Sequence, residues 1–342
     1  MMRITLAASA GVLLEADGLR FLVDALHGEG NYPFSRVPET LLAEMDTGAS
    51  RFSNADYILF THDHPDHYTP RVVERYLRHN SVRRVLLPKV QWEDREGDLL
   101  RLLQTEKIPW WRLGMARGTA HSYQLQPGVF VRAVGMQHTG ARFADADCDC
   151  TILQVNGKNF LFTSDCDYMH REAYAFAAGQ PWEAAFVNPF FYHSPQGQAL
   201  LRSELWAKHI FVYHVPFAGE DPMGLRALVH QDRAKLTAAL PQTVFLTEPM
   251  QEFAWESVKQ QKGRSPERPF QYVNQPRRVR RPQQTAIHLS KNSKGIFRQF
   301  PSPQQPRDVL HGQVRLQGQV NTVGHHAAQL PYPLVDVPGR DE

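Results

Sequence analysis

Within seven residues, Thr61-His62-Asp63-His64-Pro65-Asp66-His67, the chain sets three imidazoles and a carboxylate in the order His-x-His-x-Asp-His. Imidazole nitrogen and carboxylate oxygen suit Zn²⁺ and other first-row divalent ions. Four such side chains cannot complete two metal sites, so the run demands further ligands downstream. His138 follows the apolar run Val129 to Val134, Asp165 follows Asn159 to Thr163, and His214 follows Ile210-Phe211-Val212-Tyr213. Each is a ligand type at the end of a strand-like segment, where one edge of a sheet could collect them all. Asp167 competes with Asp165, and His193 with His214; the strand-end positions favour Asp165 and His214. A metal pair held in this way lowers the pKa of water and polarises the bond under attack. Asp66 or Asp165 could then receive or relay the proton.

The elements that must position these residues are also legible. Tyr57 to Phe60 reads as a strand directly before the histidine run, and a helix follows it. Thr69 can cap that helix, Pro70 suits its first position, and Val72, Val73, Tyr76 and Leu77 share one face. Further strands are expected at Arg84 to Leu87, Val129 to Val134, Thr151 to Val155, Asn159 to Thr163 and Thr243 to Leu246. Asn156-Gly157 is the hairpin signal between two of them. A helix is expected over Leu225 to Leu240, ended by Pro241. Arg3 and the apolar residues after it resemble a signal peptide. The alternation of Ile4, Leu6 and Ala8, then Val12, Leu14 and Ala16, then Phe21 and Val23 around Asp17-Gly18 reads instead as strands and a hairpin.

The 342 residues are 42% hydrophobic and 21% charged, which fits a soluble globular protein with no run long enough to span a membrane. The net charge of +3 is unevenly spread: from Glu256 onward 14 Lys or Arg face 6 Asp or Glu (+8), against 24 and 29 before it (−5). Residues 1–250 read as the folded domain. Residues 251–342, rich in Pro, Gln and Arg, read as a basic tail that buries too little apolar surface to order itself. Nucleic-acid contact through that tail is conceivable but not favoured over a solvated segment. The cysteines Cys148, Cys150 and Cys166 are odd in number, so no disulfide framework is expected and a reducing, cytoplasmic setting is the default. Cys148-Asp149-Cys150 lacks zinc-knuckle spacing and reads as buried or edge-strand thiols. No Gly-x-Ser-x-Gly elbow and no phosphate-binding Gly-x-x-x-x-Gly-Lys-Ser/Thr loop occurs.

The His-x-His-x-Asp-His run followed by a His, an Asp and a His resembles the metallo-β-lactamase superfamily over residues 1 to about 250. The resemblance implies an α/β fold, the four-layered αβ/βα sandwich. It also implies two divalent ions, Zn²⁺ first, with Mn²⁺ or Fe²⁺ as alternatives. By position, His62, His64 and His138 would hold one ion, Asp66, His67 and His214 the other, with Asp165 between them. Asp24 matches an early aspartate that supports the metal loop without binding metal. Val187-Asn188-Pro189-Phe190 and Ile210 to Pro216 look most like the branch containing the ascorbate-6-phosphate lactonase. The implied activity is hydrolysis of a small phosphoester or lactone-type molecule. A ribonuclease Z-like nuclease and a mononuclear iron dioxygenase are the alternatives on the same fold. His27, Tyr192 and His193 are candidates to approach the substrate; a surface position is the competing reading for His27, and an ordinary loop pair for the other two. Oligomeric state is not encoded in any of these motifs.

Overall fold

The computed structural model describes residues 1–28, 33–90, 95–143, 145–236 and 238–256. Alternating apolar residues and the Asp17-Gly18 turn, both residues at positive φ, fold the N-terminus into three antiparallel strands. These are β1 (Met2–Leu6), β2 (Val12–Ala16) and β3 (Leu19–Val23). The sheet then continues in parallel through β4 (Tyr57–Leu59), β5 (Arg84–Leu87) and β6 (Trp110–Arg112). A second sheet holds β7 (Ala120–Gln126), β8 (Val129–Gln137), β9 (Asp147–Val155), β10 (Lys158–Phe162), β11 (Trp182–Val187), β12 (Ala207–Val212) and β13 (Thr243–Phe245). It is antiparallel from β7 to β10 and parallel from β10 to β13. Last, β14 (Glu252–Trp255) returns to pair with β1, so the first sheet runs β14-β1-β2-β3-β4-β5-β6.

The inner faces of the two sheets meet over Ile4, Leu14, Phe21, Tyr57, Val131, Leu153, Phe162, Phe186 and Phe211. On the outer face of the first sheet, Leu22, Ile58 and Val85 pack under α1 (Glu39–Asp46), α2 (Pro70–His79) and α3 (Gly97–Thr105). On the outer face of the second, Ile152, Leu161, Val187 and Val212 pack under α4 (Pro189–His193), α5 (Pro195–Leu201) and α6 (Leu225–Leu236). Helix, sheet, sheet, helix is the four-layered α/β sandwich. Covering both faces explains why the parallel strands β4, β5 and β11 are apolar on both sides. Among the described residues no helix is long and apolar enough to cross a membrane.

Local differences from the sequence reading have identifiable causes. Thr69 occupies the N-cap of α2, with Pro70 at its first turn, but its hydroxyl does not cap. It accepts instead from Gly28 N–H at 3.2 Å, tying the segment after β3 to the start of α2. Helix α6 spans Leu225–Leu236, short of the expected Leu240. Strands β8 and β9 extend to Gln137 and back to Asp147. The added residues include the buried Met136, Cys148 and Cys150, and β8 now ends directly before His138. The folded chain also continues past residue 250: Phe253 and Trp255 of β14 pack on Phe211 at ring distances of 5.5 and 5.7 Å. Of the expected tail, residues 257–342 lie outside the described residues.

Candidate metal centre

Strand β4 ends at Leu59, and the segment after it is pinned before it reaches the histidines. Thr61 donates its N–H to Asp24 Oδ1 at 2.8 Å and its hydroxyl to Asp24 Oδ2 at 2.7 Å. Asp24 Oδ2 also stands 3.0 Å from His67 Nδ1. A carboxylate accepts, so His67 carries a proton on Nδ1 and aims Nε2 inward. His138 is set the same way, its Nδ1 donating to the Thr139 carbonyl at 2.7 Å. His62 Nδ1 lies 3.1 Å from the Thr61 hydroxyl, whose proton is already given to Asp24, so His62 too presents a bare Nε2.

These nitrogens converge on one oxygen. Asp165 Oδ2 is 3.3 Å from His67 Nε2, 3.5 Å from His214 Nε2, 3.6 Å from His138 Nε2 and 3.9 Å from His62 Nε2. His214 Nε2 is 3.6 Å from Asp66 Oδ2 and 3.0 Å from His67 Nε2. The donors divide into two groups, His62, His64, His138 and Asp165, and Asp66, His67 and His214, each able to surround an ion. The Nε2 atoms of His62 and His138 are buried without a hydrogen-bond partner. Leaving such an atom unsatisfied costs about 1–3 kcal/mol, which a cation at that point would offset. The donor chemistry therefore fits a divalent metal.

The backbone is bent to make this convergence. Asp24, Ser164 and His214 all adopt positive φ, at 49°, 49° and 61°. Non-glycine residues rarely do so, and here each sits where a strand ends and its chain must turn a side chain into the centre. The His214 N–H is held by the Ser9 carbonyl.

Charge in the cage is polarised. Burial, then the neighbouring His67, His64 and His138, holds His62 well below the usual imidazole range. Burial and His138 push His64 down to about 4. Burial would lower His67 as well, but Asp24 and Asp165 on either side of the ring outweigh it and raise its pKa well above normal. Burial would raise Asp165, but His214, His138 and His67 hold its carboxyl well below the usual range.

All seven expected ligands thus lie together. Asp167 does not join them: its Oδ1 accepts from Met169 N–H, and it pairs with His170. Nor does His193, whose Nδ1 meets Asp232 of α6 at 3.0 Å. Tyr192 is buried and bonds Thr243, so the pair serves the packing of α4 on α6 and β13. His27 is not a surface residue. It is buried, its Nε2 is unpartnered, and burial with His67 and His214 depresses its pKa. The three cysteines are free and buried, with Cys148 Sγ 3.3 Å from Cys166 Sγ and 3.9 Å from His62 Nδ1.

Two supporting residues carry no sequence signal of their own. Ser164 bonds the Thr61 hydroxyl at 2.7 Å, joining the β4 and β10 loops. Asn188 caps α4 by accepting from Phe191 N–H, while its Nδ2 donates to Asp165 Oδ1 at 3.0 Å. That bond leaves Oδ2 of Asp165 turned to the four imidazoles. Asn188 entered the sequence reading only within the run Val187-Asn188-Pro189-Phe190, and neither bond was foreseen there.

Known proteins place the chain. No curated protein matches it in sequence. The fold is shared with a possible metal-dependent hydrolase from Veillonella parvula DSM 2008, at 14% identity and a TM-score of 0.51, covering 74% of this chain and 99% of that one. It is also shared with an isothiocyanate hydrolase from Delia radicum gut bacteria, at 15% identity and a TM-score of 0.50, covering 75% and 100%. The family profile described as Beta-lactamase superfamily domain matches residues 19–205, which take in β3 to α5 and every expected ligand but His214. The chain belongs to the β-lactamase superfamily.

Proposed function

We propose that the chain is a binuclear metal-dependent hydrolase acting on a small phosphoester or lactone-type substrate, Zn²⁺ being the first choice of metal. The observation that carries the reading is the position of Asp165 Oδ2, within 3.9 Å of imidazoles from both donor groups. One carboxylate oxygen set between two groups is what a shared ligand requires. His62, His64 and His138 would hold one ion and Asp66, His67 and His214 the other, with Asp165 common to both.

When bound, such ions supply a Lewis acid and water made acidic near neutral pH. The chain's own residues do the rest. Asp24, Thr61 and the Thr139 carbonyl fix the tautomers, so that the inward nitrogens are lone pairs rather than donors. Asp66 and Asp165 are the carboxylates placed to accept a proton at the site. No side chain acts as a covalent nucleophile in this scheme. The runs Val187-Asn188-Pro189-Phe190 and Ile210 to Pro216, by their resemblance, support the lactonase-like branch as the favoured place within the superfamily.

The test is elemental analysis of the purified protein, followed by a screen of phosphodiesters, phosphomonoesters and lactones. Two metal equivalents per chain and turnover of at least one class are expected. A single iron per chain with oxygen consumption, and no hydrolysis, defeats the proposal.

A further inference from the structure

Two phenyl rings stand against the ligand imidazoles, one beside each donor group. The ring centroid of Phe34 is 3.9 Å from that of His214. The ring of Phe143 is 5.2 Å from His64 and 4.9 Å from His138. Neither phenylalanine can bind metal, and both remain half-buried rather than sinking into a core.

Both rings are held by their backbones. Ser35, next to Phe34, is buried; its carbonyl accepts from Ser9 N–H at 3.1 Å and from the Ser9 hydroxyl at 2.9 Å. Its own hydroxyl accepts from Phe217 N–H at 2.7 Å. Phe34 is thereby fixed to the β1–β2 loop, whose Ser9 carbonyl also holds His214, and to the segment beyond His214. Phe143 closes the 3₁₀ turn Ala141–Phe143, donating to the Gly140 carbonyl and accepting from Ala146 N–H. Gly140, at φ 85°, lets the chain reverse there.

A fixed half-buried ring beside a polar centre offers one thing the ligands cannot, an apolar face for whatever is bound. Aromatic pairs favour offset or edge-to-face contact at centroid separations of about 4.5–7 Å. We propose that Phe34 and Phe143 are the walls of the substrate site. They select a molecule that carries a planar apolar group, aryl or conjugated, next to the bond that is cleaved. The proposal rests on the metal-hydrolase reading and adds the substrate's shape to it.

The test is calorimetric titration of the metal-loaded full-length protein with phenylphosphonate and with methylphosphonate, which share a head group and differ in the ring. Phenylphosphonate is expected to bind about tenfold more tightly. Phe34→Ala and Phe143→Ala should each remove part of that preference. The double variant should bind both probes alike. Should an alanine variant lose metal, Phe34→Leu or Phe143→Leu, which keeps apolar bulk but no ring face, carries the same expectation. Equal affinities in the unaltered protein overturn the proposal, as does a preference that survives both substitutions or binding of neither probe. Phenyl preference in a protein that hydrolyses no phosphoester or lactone upholds the walls and removes the hydrolase reading instead.

Discussion

Oδ2 of Asp24 lies 3.0 Å from Nδ1 of His67, with both side chains wholly buried. Because the same carboxylate also takes both Thr61 donors, it fixes the ring and the start of the metal loop together. Asp24→Ala is expected to weaken metal binding about 10–100-fold, the usual effect of removing such a partner. Competition against a chelator measures it. Unchanged affinity in a folded variant would show that the contact is incidental.

Asp165→Ala should abolish metal retention and turnover together, since under the proposed function it removes the oxygen shared by both ions. His193→Ala and Asp167→Ala should keep their full metal content, because those side chains turn to Asp232 and His170. Elemental analysis of the three variants decides between the assignments.

Asn188→Ala loses two things at once. The missing cap should cost about 1 kcal/mol in thermal or denaturant unfolding. The released Asp165 carboxylate should lower metal affinity about tenfold. A variant that shows the stability loss and no change in affinity would reduce Asn188 to a cap.

The two donor groups should part company as pH falls. His62 and His64 are held below the normal imidazole range, so an ion there meets little proton competition near neutrality. His67 is held above it, so an ion in its group must displace a proton. Dialysis in steps from about pH 8 to about pH 5 should strip the Asp66, His67 and His214 group first. Metal counts per chain, with cobalt spectra to tell the groups apart, give the order; simultaneous loss contradicts it.

Asp149 sets a second pH dependence. It is buried, one oxygen accepts from Met115 N–H and Oδ2 has no partner, and burial raises its pKa from 3.8 to about 6. The folded state thus binds this proton more tightly than the unfolded one. Its stability contribution is complete below about pH 4 and is lost as pH rises through about 6. Asp149→Asn keeps the acceptor for Met115. Relative to the unaltered protein it should gain about 2–3 kcal/mol between pH 4 and pH 7. A pH-independent difference in unfolding free energy would contradict this account.

The residues that the structure brings together were legible because each followed a segment whose apolar pattern announces a strand end. His138, Asp165 and His214 are found by that rule, and Asp24 by position. The rule fails for residues whose neighbours have no periodicity. Asn188 was visible only as a fragment of a resemblance, and its bond to Asp165 depends on how β11 and β10 lie side by side. Phe34 and Phe143 sit in loops where a phenylalanine carries no directional signal. His27 was ambiguous because burial in a loop depends on what covers it, not on local pattern. The strand β14 was masked by the polar composition that begins around Gln251, although Phe253 and Trp255 keep the alternation of a strand.

The first sheet contributes Asp24 and the run His62 to His67, and the second contributes His138, Asp165 and His214. A nascent chain that has emerged only as far as α3 holds the motif by which the family is known, yet lacks the other half of both donor groups. The centre closes only when the second sheet docks, and its final member waits for a turn secured by Ser9 near the chain's beginning. An ion bound there would act as a clasp across two halves rather than a seed for one of them. Its loss should therefore register as lower cooperativity of the whole sandwich.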